Sequence, residues 1–354
     1  MTIAHRQAAT GVEVRPAAPA DDERRDAFVI AHPDGSFFHR SAWRRVVERS
    51  FGHESRELHA WRGDELVGVL PLMLCRSVFS RRNLVSIPYA VYGGPVASDS
   101  DAEHALVETA VRLADTGRVG HLELRYRRDP GPDLIGSELY WTFVRDLPEK
   151  EEDVLASMPK KARAEARKAR ERHGLELSEG AWYVDDLYRF FARNKHGLGS
   201  PALPALHFQE LLHQYGKDVR VHLVRRNREP LAAVMSFLDG DTLIAYYAGT
   251  DPGADGLYSA SNFMYLALQE WAVRHGLKRF DFSRSRRDSG AFRFKKNQGL
   301  EPTPLHYRYH LVHGRRIPSF NPSNPRMRFL QELWIRMPSW FVRRLSNRLA
   351  AYLP

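Results

Sequence analysis

The side chains with the clearest chemical potential lie close together in residues 281–296. Six of them are basic and two are acidic, namely Arg284, Arg286, Arg287, Arg293, Lys295, Lys296, Asp281 and Asp288. The apolar residues Ala291, Phe292 and Phe294 alternate with these charges. Such a segment can bury its aromatic rings and present a row of cations to an anionic ligand, whereas the simpler interpretation is a solvated basic loop. We favour the anion-binding interpretation because the aromatics are interleaved with the cations.

The spacing inside this segment gives each charge an expected role. If the segment is extended, Arg293 and Lys295 share one face because residues two apart in a strand do so, and Lys296 points away. Asp281 lies between two phenylalanines on a predicted strand. Its carboxylate either takes a proton from a reacting amine or is the buried partner of a nearby arginine. Arg284 is a candidate contact for the anion.

A second basic segment covers residues 159–173, with seven basic and two acidic side chains. Arg163, Arg167 and Arg170 are spaced to share one face of a helix. Such a face can clamp the phosphates of tRNA or of a nucleotide-like donor, or it is simply a solvated helix. Few aromatics accompany these arginines, which argues against reading of bases.

The residue types absent from the chain narrow the chemistry. The single cysteine, Cys75, lies in an apolar run, which excludes an internal disulfide and a multi-cysteine zinc site. Sixteen histidines form no H-E-x-x-H pattern, and no G-x-S-x-G sequence is present. These absences argue against a zinc-dependent hydrolase and against a serine nucleophile of the hydrolase type.

The elements that must position these residues occur twice. Residues 58–74 and 221–238 both predict two apolar strands around a charged turn. Residues 101–125 and 259–284 both predict a capped amphipathic helix followed by a strand. The two matches occur at nearly the same spacing, which indicates tandem copies of one α/β unit rather than chance similarity. We place the first domain at 11–150, the second at 151–312 and a basic helical tail at 313–354.

Several segments resemble the FemAB-type peptidyltransferases. They are SIPYAVYGGPV (86–96), MPKKARAEARKARERHGL (158–175), FDFSRS (280–285), SGAFRFKKNQGLEPTPLHY (289–307) and NPRMRFLQELWIRMPSW (324–340). More narrowly, the chain resembles the FemAB-related proteins that accompany exosortase and exopolysaccharide (PEP-CTERM) systems. The resemblance implies an α/β (α+β) fold of two tandem domains of the GCN5-related N-acetyltransferase (GNAT) type. Each domain would have a mixed central sheet flanked by helices.

The same resemblance implies a function and a set of site residues. Enzymes of this type use aminoacyl-tRNA as the donor and an amine on a cell-wall precursor as the acceptor. Lys295 matches the lysine of the family's F-K motif, which implies contact with the donor phosphate or the developing oxyanion. The turn formed by Tyr89, Tyr92, Gly93 and Gly94 would lie on the acceptor side, although a plain turn is the alternative.

The donor has a second candidate, acyl-CoA. Ordinary acetyltransferases bind the CoA pyrophosphate with a Q/R-x-x-G-x-G/A loop at a helix N-terminus, and residues 255–265 lack its glycine pair. Ser259, Ser261 and Asn262 still offer hydroxyl and amide groups beside backbone N–H donors, or they cap the helix. We expect no tightly bound cofactor and no metal.

The C-terminal tail and the N-terminus indicate where in the cell the protein is expected. The tail predicts helices with apolar residues on one side and arginines around them, which indicates either peripheral membrane contact through 324–352 or packing on the domains. The N-terminus lacks the apolar region of a secretory signal, so we expect a cytoplasmic protein, with the inner face of the membrane as its other location. The alternative to an enzyme is a non-catalytic protein that binds RNA or a membrane surface.

Overall fold

The computed structural model describes residues 11–77, 82–313, 317 and 325–353. The N-terminal decapeptide and most of the first part of the basic tail therefore lie outside the described residues. The elements follow in chain order: β1 (Glu13–Pro16), α1 (Asp22–Ala31), α2 (Ser41–Phe51), β2 (Glu54–Ser55), β3 (Leu58–Arg62), β4 (Glu65–Leu70), β5 (Met73–Arg76), β6 (Arg82–Val85), β7 (Val96–Ala97), α3 (Ser100–Thr116), β8 (His121–Tyr126), β9 (Ile135–Ser137), β10 (Tyr140–Thr142), β11 (Val144–Asp146), α4 (Glu151–Ser157), α5 (Lys160–Glu171), β12 (Leu175–Glu179), α6 (Val184–Gly197), α7 (Ala205–Tyr215), β13 (Val219–Arg226), β14 (Glu229–Asp239), β15 (Thr242–Thr250), α8 (Pro252–Tyr258), α9 (Ala260–Arg274), β16 (Arg279–Asp281), β17 (Ser285–Arg286), α10 (Gly290–Asn297), β18 (Thr303–Pro304), β19 (His306–Leu311), α11 (Pro325–Arg336) and α12 (Ser339–Leu349).

The chain forms two compact units. Unit one contains the described residues within Met1–Glu138, Leu305–Phe320 and Leu349–Pro354, and unit two contains those within Leu139–Pro304 and Asn321–Arg348. In the described part of unit one, a four-stranded sheet has the order β1-β3-β4-β7, and a six-stranded sheet has the order β2-β5-β6-β8-β19-β9. The apolar face of α3 packs on these strands, with Leu106 and Ala110 fully buried.

Unit two has a six-stranded sheet in the order β11-β16-β15-β14-β13-β12 within the described residues, together with a three-stranded sheet β17-β10-β18. The long antiparallel strands β14 and β15 are apolar at most central positions, as expected of strands covered by helices, whereas β13 also carries Arg220 and His222. The buried face of α9 contributes Phe263, Leu268 and Trp271 to the core of this unit. This core holds in place the strand ends described below.

The duplicated pattern of the sequence is confirmed as duplicated topology. The hairpin β3–β4 in unit one corresponds to β13–β14 in unit two, and both are antiparallel. In each unit a helix then precedes a strand that pairs in parallel with an earlier one. The first pairing sets Val85 against Glu123, and the second sets Ile244 against Asp281. Both crossovers carry a helix, which is how parallel neighbours are usually connected.

One local prediction was wrong. Residues 290–297 are not extended but form the helix α10. Ser289 caps this helix, since its hydroxyl accepts a hydrogen bond from the Phe292 backbone N–H at 3.1 Å. Phe292 packs on the core of unit two, with its ring centroid 5.2 Å from that of Phe143. The cap and this single apolar anchor favour a short helix over a strand.

The described tail consists of the two helices α11 and α12, separated at Pro338 as the sequence predicts. Their inner face packs within unit two on α6 and the loop that follows it. There the Ala202 N–H donates to the Ser346 hydroxyl at 3.3 Å. Across the described ranges of the chain, every helix is too short or too polar to cross a bilayer.

Candidate functional site

The central feature of unit two is the parting of two parallel strands. β15 and β16 pair only over Thr242–Ile244 in the described chain, opposite Arg279–Asp281. β15 then continues to Thr250, whereas the chain after Asp281 turns away into a loop. The register between β14 and β15 shifts at Met235/Ser236, which leaves Tyr246 as an extra residue in β15. Such a bulge redirects backbone groups, and it lies in the part of β15 that continues beyond its pairing with β16.

Helix α6 passes closely over the same end of β15. A Cβ added at Gly249 would lie 2.5 Å from both the Phe190 carbonyl carbon and the Phe191 backbone nitrogen. Only glycine permits this approach of helix to strand. Glycine at this position therefore brings the second half of α6 to the place where the strands part.

Lys295 is buried beside the loop that follows β16. Its side chain enters from α10, and the residue is only 6% exposed. The Nζ group donates to the backbone carbonyls of Ser283 at 2.9 Å and Arg284 at 3.1 Å. It also lies 5.4 Å from the centroid of the Phe143 ring. Burial lowers the pKa of Lys295 to about 7, with the charge of Asp281 acting in the opposite direction.

Asp281, at the end of β16, is also buried. Its Oδ1 accepts hydrogen bonds from the Ser283 backbone N–H at 2.6 Å and from the Thr142 hydroxyl at 3.4 Å. Ser283 itself has a φ of 62°, in the left-handed region that non-glycine residues rarely occupy. Lys295 and Asp281 therefore hold from two sides a strained turn at the point where the strands diverge.

A further cation, Lys195, meets this region from the last turn of α6, and sequence reasoning did not single it out. Burial, followed by the like charge of Arg284, lowers the pKa of Lys195. The Arg284 guanidinium lies 4.6 Å from the centroid of the Tyr140 ring. A bound anion would offset this repulsion between the two cations. The sequence around Lys195 does not predict its closeness to Arg284, because Arg284 lies 89 positions later in the chain.

Arg293 does not share a face with Lys295. Two residues on a helix differ by about 200° around its axis, so burial of Lys295 leaves Arg293 exposed. Lys296 is exposed as well, as expected. Of the cations in α10, only Lys295 is buried.

The N-terminus of α9 is filled by groups of the protein itself. The Ser261 backbone N–H donates to Oδ1 of Asp255 at 2.8 Å, and the Ser261 hydroxyl lies 3.1 Å from that of Thr250. The Ser259 hydroxyl donates to Glu165, while the Asn262 side-chain oxygen accepts from Gln298. A carboxylate thus occupies the helix end at which an anion would otherwise bind.

The basic helix α5 forms over Lys160–Glu171, and its three predicted arginines differ in surroundings. Arg170 forms an ion pair with Glu270 and lies over the Phe263 ring. Arg163 donates to the Ala156 carbonyl at 3.2 Å, and Arg167 is exposed. Arg170 is therefore partly committed to the fold, whereas Arg167 faces solvent.

The predicted acceptor residues of unit one lie together in one buried loop. The Tyr89 hydroxyl donates to the Ala350 carbonyl at 3.0 Å, and its ring stacks on Phe51 at 3.9 Å. Tyr92 is 3% exposed, beneath the Arg127 guanidinium. A Cβ at Gly93 would lie 2.9 Å from the Ser86 carbonyl oxygen, and one at Gly94 would lie 3.1 Å from the Tyr126 Cα. This loop is closely packed within unit one.

The described residues hold no cluster of three or more His, Cys, Asp or Glu side chains that could bind a metal ion. The thiol of Cys75 is buried, which raises its pKa well above the usual range.

Comparison with known proteins bears on both the fold and this region. Residues 156–296 match the family model for the acetyltransferase (GNAT) domain, and this range contains Lys195, Asp281 and Lys295. The mixed α/β structure consists of GNAT-like domains, with mixed sheets flanked by helices. The predicted fold class is confirmed. The curated proteins contain no match to the sequence.

Three solved structures illustrate the likeness in fold. A structure of FemX covers 83% of this chain and 96% of its own, with a TM-score of 0.61 at 13% identity. A tandem GNAT protein from the clavulanic acid biosynthesis pathway covers 86% and 100%, with a TM-score of 0.52 at 14% identity. The C-terminal domain of a putative lysylphosphatidylglycerol synthetase from Agrobacterium fabrum covers 84% and 93%, with a TM-score of 0.50 at 13% identity. All three share an acyltransferase-like fold with this chain.

Proposed function

We propose that the protein is an N-acyltransferase of FemAB type that transfers an aminoacyl or acyl group to an amine. The observation that carries this proposal is the opening between β15 and β16. One side of it is the bulged strand β15, and the other is the turn held by Lys295 and Asp281. This arrangement lies inside the residues that match the acetyltransferase domain.

The chain's own groups supply the steps of such a transfer. The acceptor nitrogen attacks the acyl carbonyl and a C–N bond forms. The C–O or C–S bond to the donor then breaks, and the leaving oxygen or sulfur departs as a hydroxyl or thiol with the proton that the amine releases. Backbone N–H groups on the open side of β15 stabilise the oxyanion. Lys295 is suited to hold the proton released by the amine because its pKa is about 7. In its neutral form, two N–H groups satisfy the Ser283 and Arg284 carbonyls and the lone pair remains as an acceptor.

Aminoacyl-tRNA is the donor that the surroundings favour. The Asp255 carboxylate already occupies the N-terminus of α9, and Glu165 binds the neighbouring Ser259. Two carboxylates there disfavour a diphosphate. In contrast, Arg163 and Arg167 on α5, with Arg284 and Lys195 near the opening, provide cations for a polyanionic donor.

Acyl-CoA is the second candidate, and the domain match supports it. The matched family is described as an acetyltransferase domain, and such domains typically use acyl-CoA. The opening between β15 and β16 accommodates a thioester as readily as an ester. With this donor, the pyrophosphate would have to displace Asp255 from the α9 N-terminus.

The acceptor in this proposal is an amine of a cell-envelope, peptidoglycan or exopolysaccharide-related precursor. Its support is the likeness in fold to FemX and to a putative lysylphosphatidylglycerol synthetase. Unit one would carry the acceptor side, with the buried loop of Tyr89, Tyr92, Gly93 and Gly94 supporting the acceptor surface from within rather than contacting the acceptor. We place the protein in the cytoplasm, at or near the inner face of the membrane. Association with PEP-CTERM systems is the narrowest form of the same proposal.

A transfer assay tests the activity. Purified protein is incubated with a radiolabelled set of aminoacyl-tRNAs or with an acyl-CoA panel, and with amine acceptors that include lysine-bearing peptides and amino sugars. We expect product from at least one donor class. Lys295→Met should reduce the rate about 100-fold or more, whereas Lys296→Met, the exposed neighbour, should keep it. A chain that binds a donor but transfers nothing with any acceptor would instead support the non-catalytic alternative.

Salt dependence of tRNA binding tests the donor. If Arg163 and Arg167 contact phosphates, each change to glutamine lowers the slope of log affinity against log salt by about one. Arg228→Gln, in the exposed turn between β13 and β14, is the matched control and should leave the slope unchanged. Equal slopes for all three variants would exclude α5 as the tRNA contact. Binding should be measured by filter retention between low and physiological salt.

A further inference from the structure

The helices α11 and α12 carry a concentration of exposed apolar side chains. Twelve large apolar residues are exposed in the described part of the chain, and half of them lie within 329–341, namely Phe329, Leu330, Leu333, Ile335, Trp340 and Phe341. Trp340 and Phe329 are 67% and 66% exposed. A large exposed apolar cluster on a folded domain usually marks an interaction site.

These residues are not the ones that pack the helices onto unit two. Trp334 and Val342 are buried, and the Trp334 carbonyl lies 3.1 Å from Nε2 of His196. Helical geometry places Phe329, Leu330 and Leu333 together on the flank beside the packed face. On α12, Trp340 and Phe341 stand away from Val342, and their rings contact at 5.7 Å. One face of the two helices therefore packs on unit two, and a second, outer face remains exposed.

The outer face is also strongly basic. Residues 325–353 contain six arginines and one acidic residue, Glu332. Arg344 and Arg348 follow Trp340 at intervals of four, so the three side chains form one stripe along α12. Both arginines are exposed, as are Arg336 and Arg343. Aromatic and arginine side chains are thus combined on the exposed side of α12.

We propose that this outer face, formed by Phe329, Leu330, Leu333, Trp340, Phe341, Arg344 and Arg348, binds the surface of an anionic phospholipid bilayer. Tryptophan and phenylalanine insert at the boundary between headgroups and acyl chains, and arginines beside them contact lipid phosphates. A second copy of the chain fits less well, because each copy would bring a strongly positive face to the other. Nucleic acid would leave Leu330, Leu333 and Phe329 exposed to water.

Vesicle flotation tests this proposal with the full-length protein and no donor. The probes are large unilamellar vesicles of phosphatidylcholine alone and of phosphatidylcholine with phosphatidylglycerol. We expect binding to the anionic vesicles that weakens as salt rises, and at least tenfold weaker binding to the neutral ones. The double variant Trp340→Ala/Phe341→Ala should lose at least tenfold in affinity. Arg344→Gln/Arg348→Gln should lose most of the preference for anionic lipid.

Trp182→Ala is the matched control, because Trp182 is 74% exposed but belongs to a different element. It should bind vesicles as the wild type does. Brominated lipids give an independent readout, since they should quench the wild-type fluorescence and quench Trp340→Phe less. Circular dichroism melting verifies that each variant is folded.

Three results would overturn the proposal. The first is the absence of binding to anionic vesicles at low salt, and the second is equal effects of the Trp182 and Trp340 variants. The third is a concentration-dependent increase in mass by light scattering that Trp340→Ala abolishes, which would assign the face to self-association. None of these results depends on transferase activity, so failure here leaves the proposed reaction to its own assay.

Discussion

Lys295 shows how strongly position changes the chemistry of a residue. It and Lys296 are adjacent and of the same type, yet one is 6% exposed and the other faces solvent. Burial favours the neutral amine, so the pKa of Lys295 falls to about 7. Two backbone carbonyls and the charge of Asp281 hold the group where it lies. A lysine retained in so unfavourable a place is a candidate for function rather than for stability.

The stability of Lys295→Met should depend on pH in a defined direction. Between pH 7 and 10.5 the folded protein binds fewer protons at this group than the unfolded chain, so wild-type stability rises with pH in that window. Below pH 7 it stays at its lower level, because both states bind the proton. Methionine has no such dependence. At low pH the methionine variant avoids the cost of burying a charged lysine, which is about 1.4 kcal/mol for each pKa unit of the shift. At every pH it leaves the Ser283 and Arg284 carbonyls without their donor, which costs about 1–3 kcal/mol.

We therefore expect Lys295→Met to be as stable as the wild type or more so at pH 6, and less stable at pH 10. Urea unfolding at the two pH values measures this difference. Lys296→Met should show no such trend because its side chain is exposed. A stability difference that is constant from pH 6 to pH 10 would mean that Lys295 is not buried as described.

At the scale of elements, the decisive contact is that of α6 with β15. Gly249 lets the α6 backbone approach the strand, and Lys195 in the last turn of the helix then comes near Arg284. The helix is thus more than a cover for the sheet, because it carries a cation to the opening. The position of α6 therefore depends on Gly249, which has no side chain.

Gly249→Ala should destabilise the protein by roughly 1–3 kcal/mol, because a Cβ would overlap backbone atoms of Phe190 and Phe191 that cannot rotate away. Thermal or urea unfolding measures the loss. Gly256→Ala is the control, since it lies in α8 with open space around its Cβ position and should be neutral or slightly stabilising. Equal stability of both variants would contradict the close approach of helix and strand.

At the scale of the whole molecule, buried histidines should make the fold sensitive to acid. Burial lowers the pKa of His39 and His53 to about 4, and that of His207 and His222 to about 3. The unfolded chain binds protons at these groups near pH 6.5, before the folded protein does. Stability should therefore be lost progressively as pH falls from 6.5 towards 4, by several kcal/mol in total.

Urea unfolding at pH 8, 6.5 and 5 measures this loss. His222→Phe provides a specific control, because in the described structure neither ring nitrogen of His222 has a hydrogen-bond partner. The variant keeps an aromatic ring against Trp271 and removes one titrating group, so its stability should fall less between pH 6.5 and 5. A wild-type stability that does not change from pH 8 to pH 5 would refute the prediction.

Much of the molecule could be predicted from local pattern. The hairpins β3–β4 and β13–β14, the capped helix α3 and the basic helix α5 follow from apolar periodicity, capping residues and glycines, all of which act over a few neighbours. The repeat of these patterns predicted two similar α/β units because each amphipathic element must bury its apolar face. The sequence also placed the candidate site near Asp281 and Lys295.

Only the tertiary structure decided what surrounds those residues. The place where β15 and β16 part depends on strand register, and the meeting of Lys195 with Arg284 depends on contacts between distant segments. The same is true of Lys295, whose partners are backbone carbonyls 11 and 12 residues away. Local propensities determine elements, but burial and pKa depend on packing between them. The sequence alone therefore determined the type of fold, and packing determined which lysine is buried at the site.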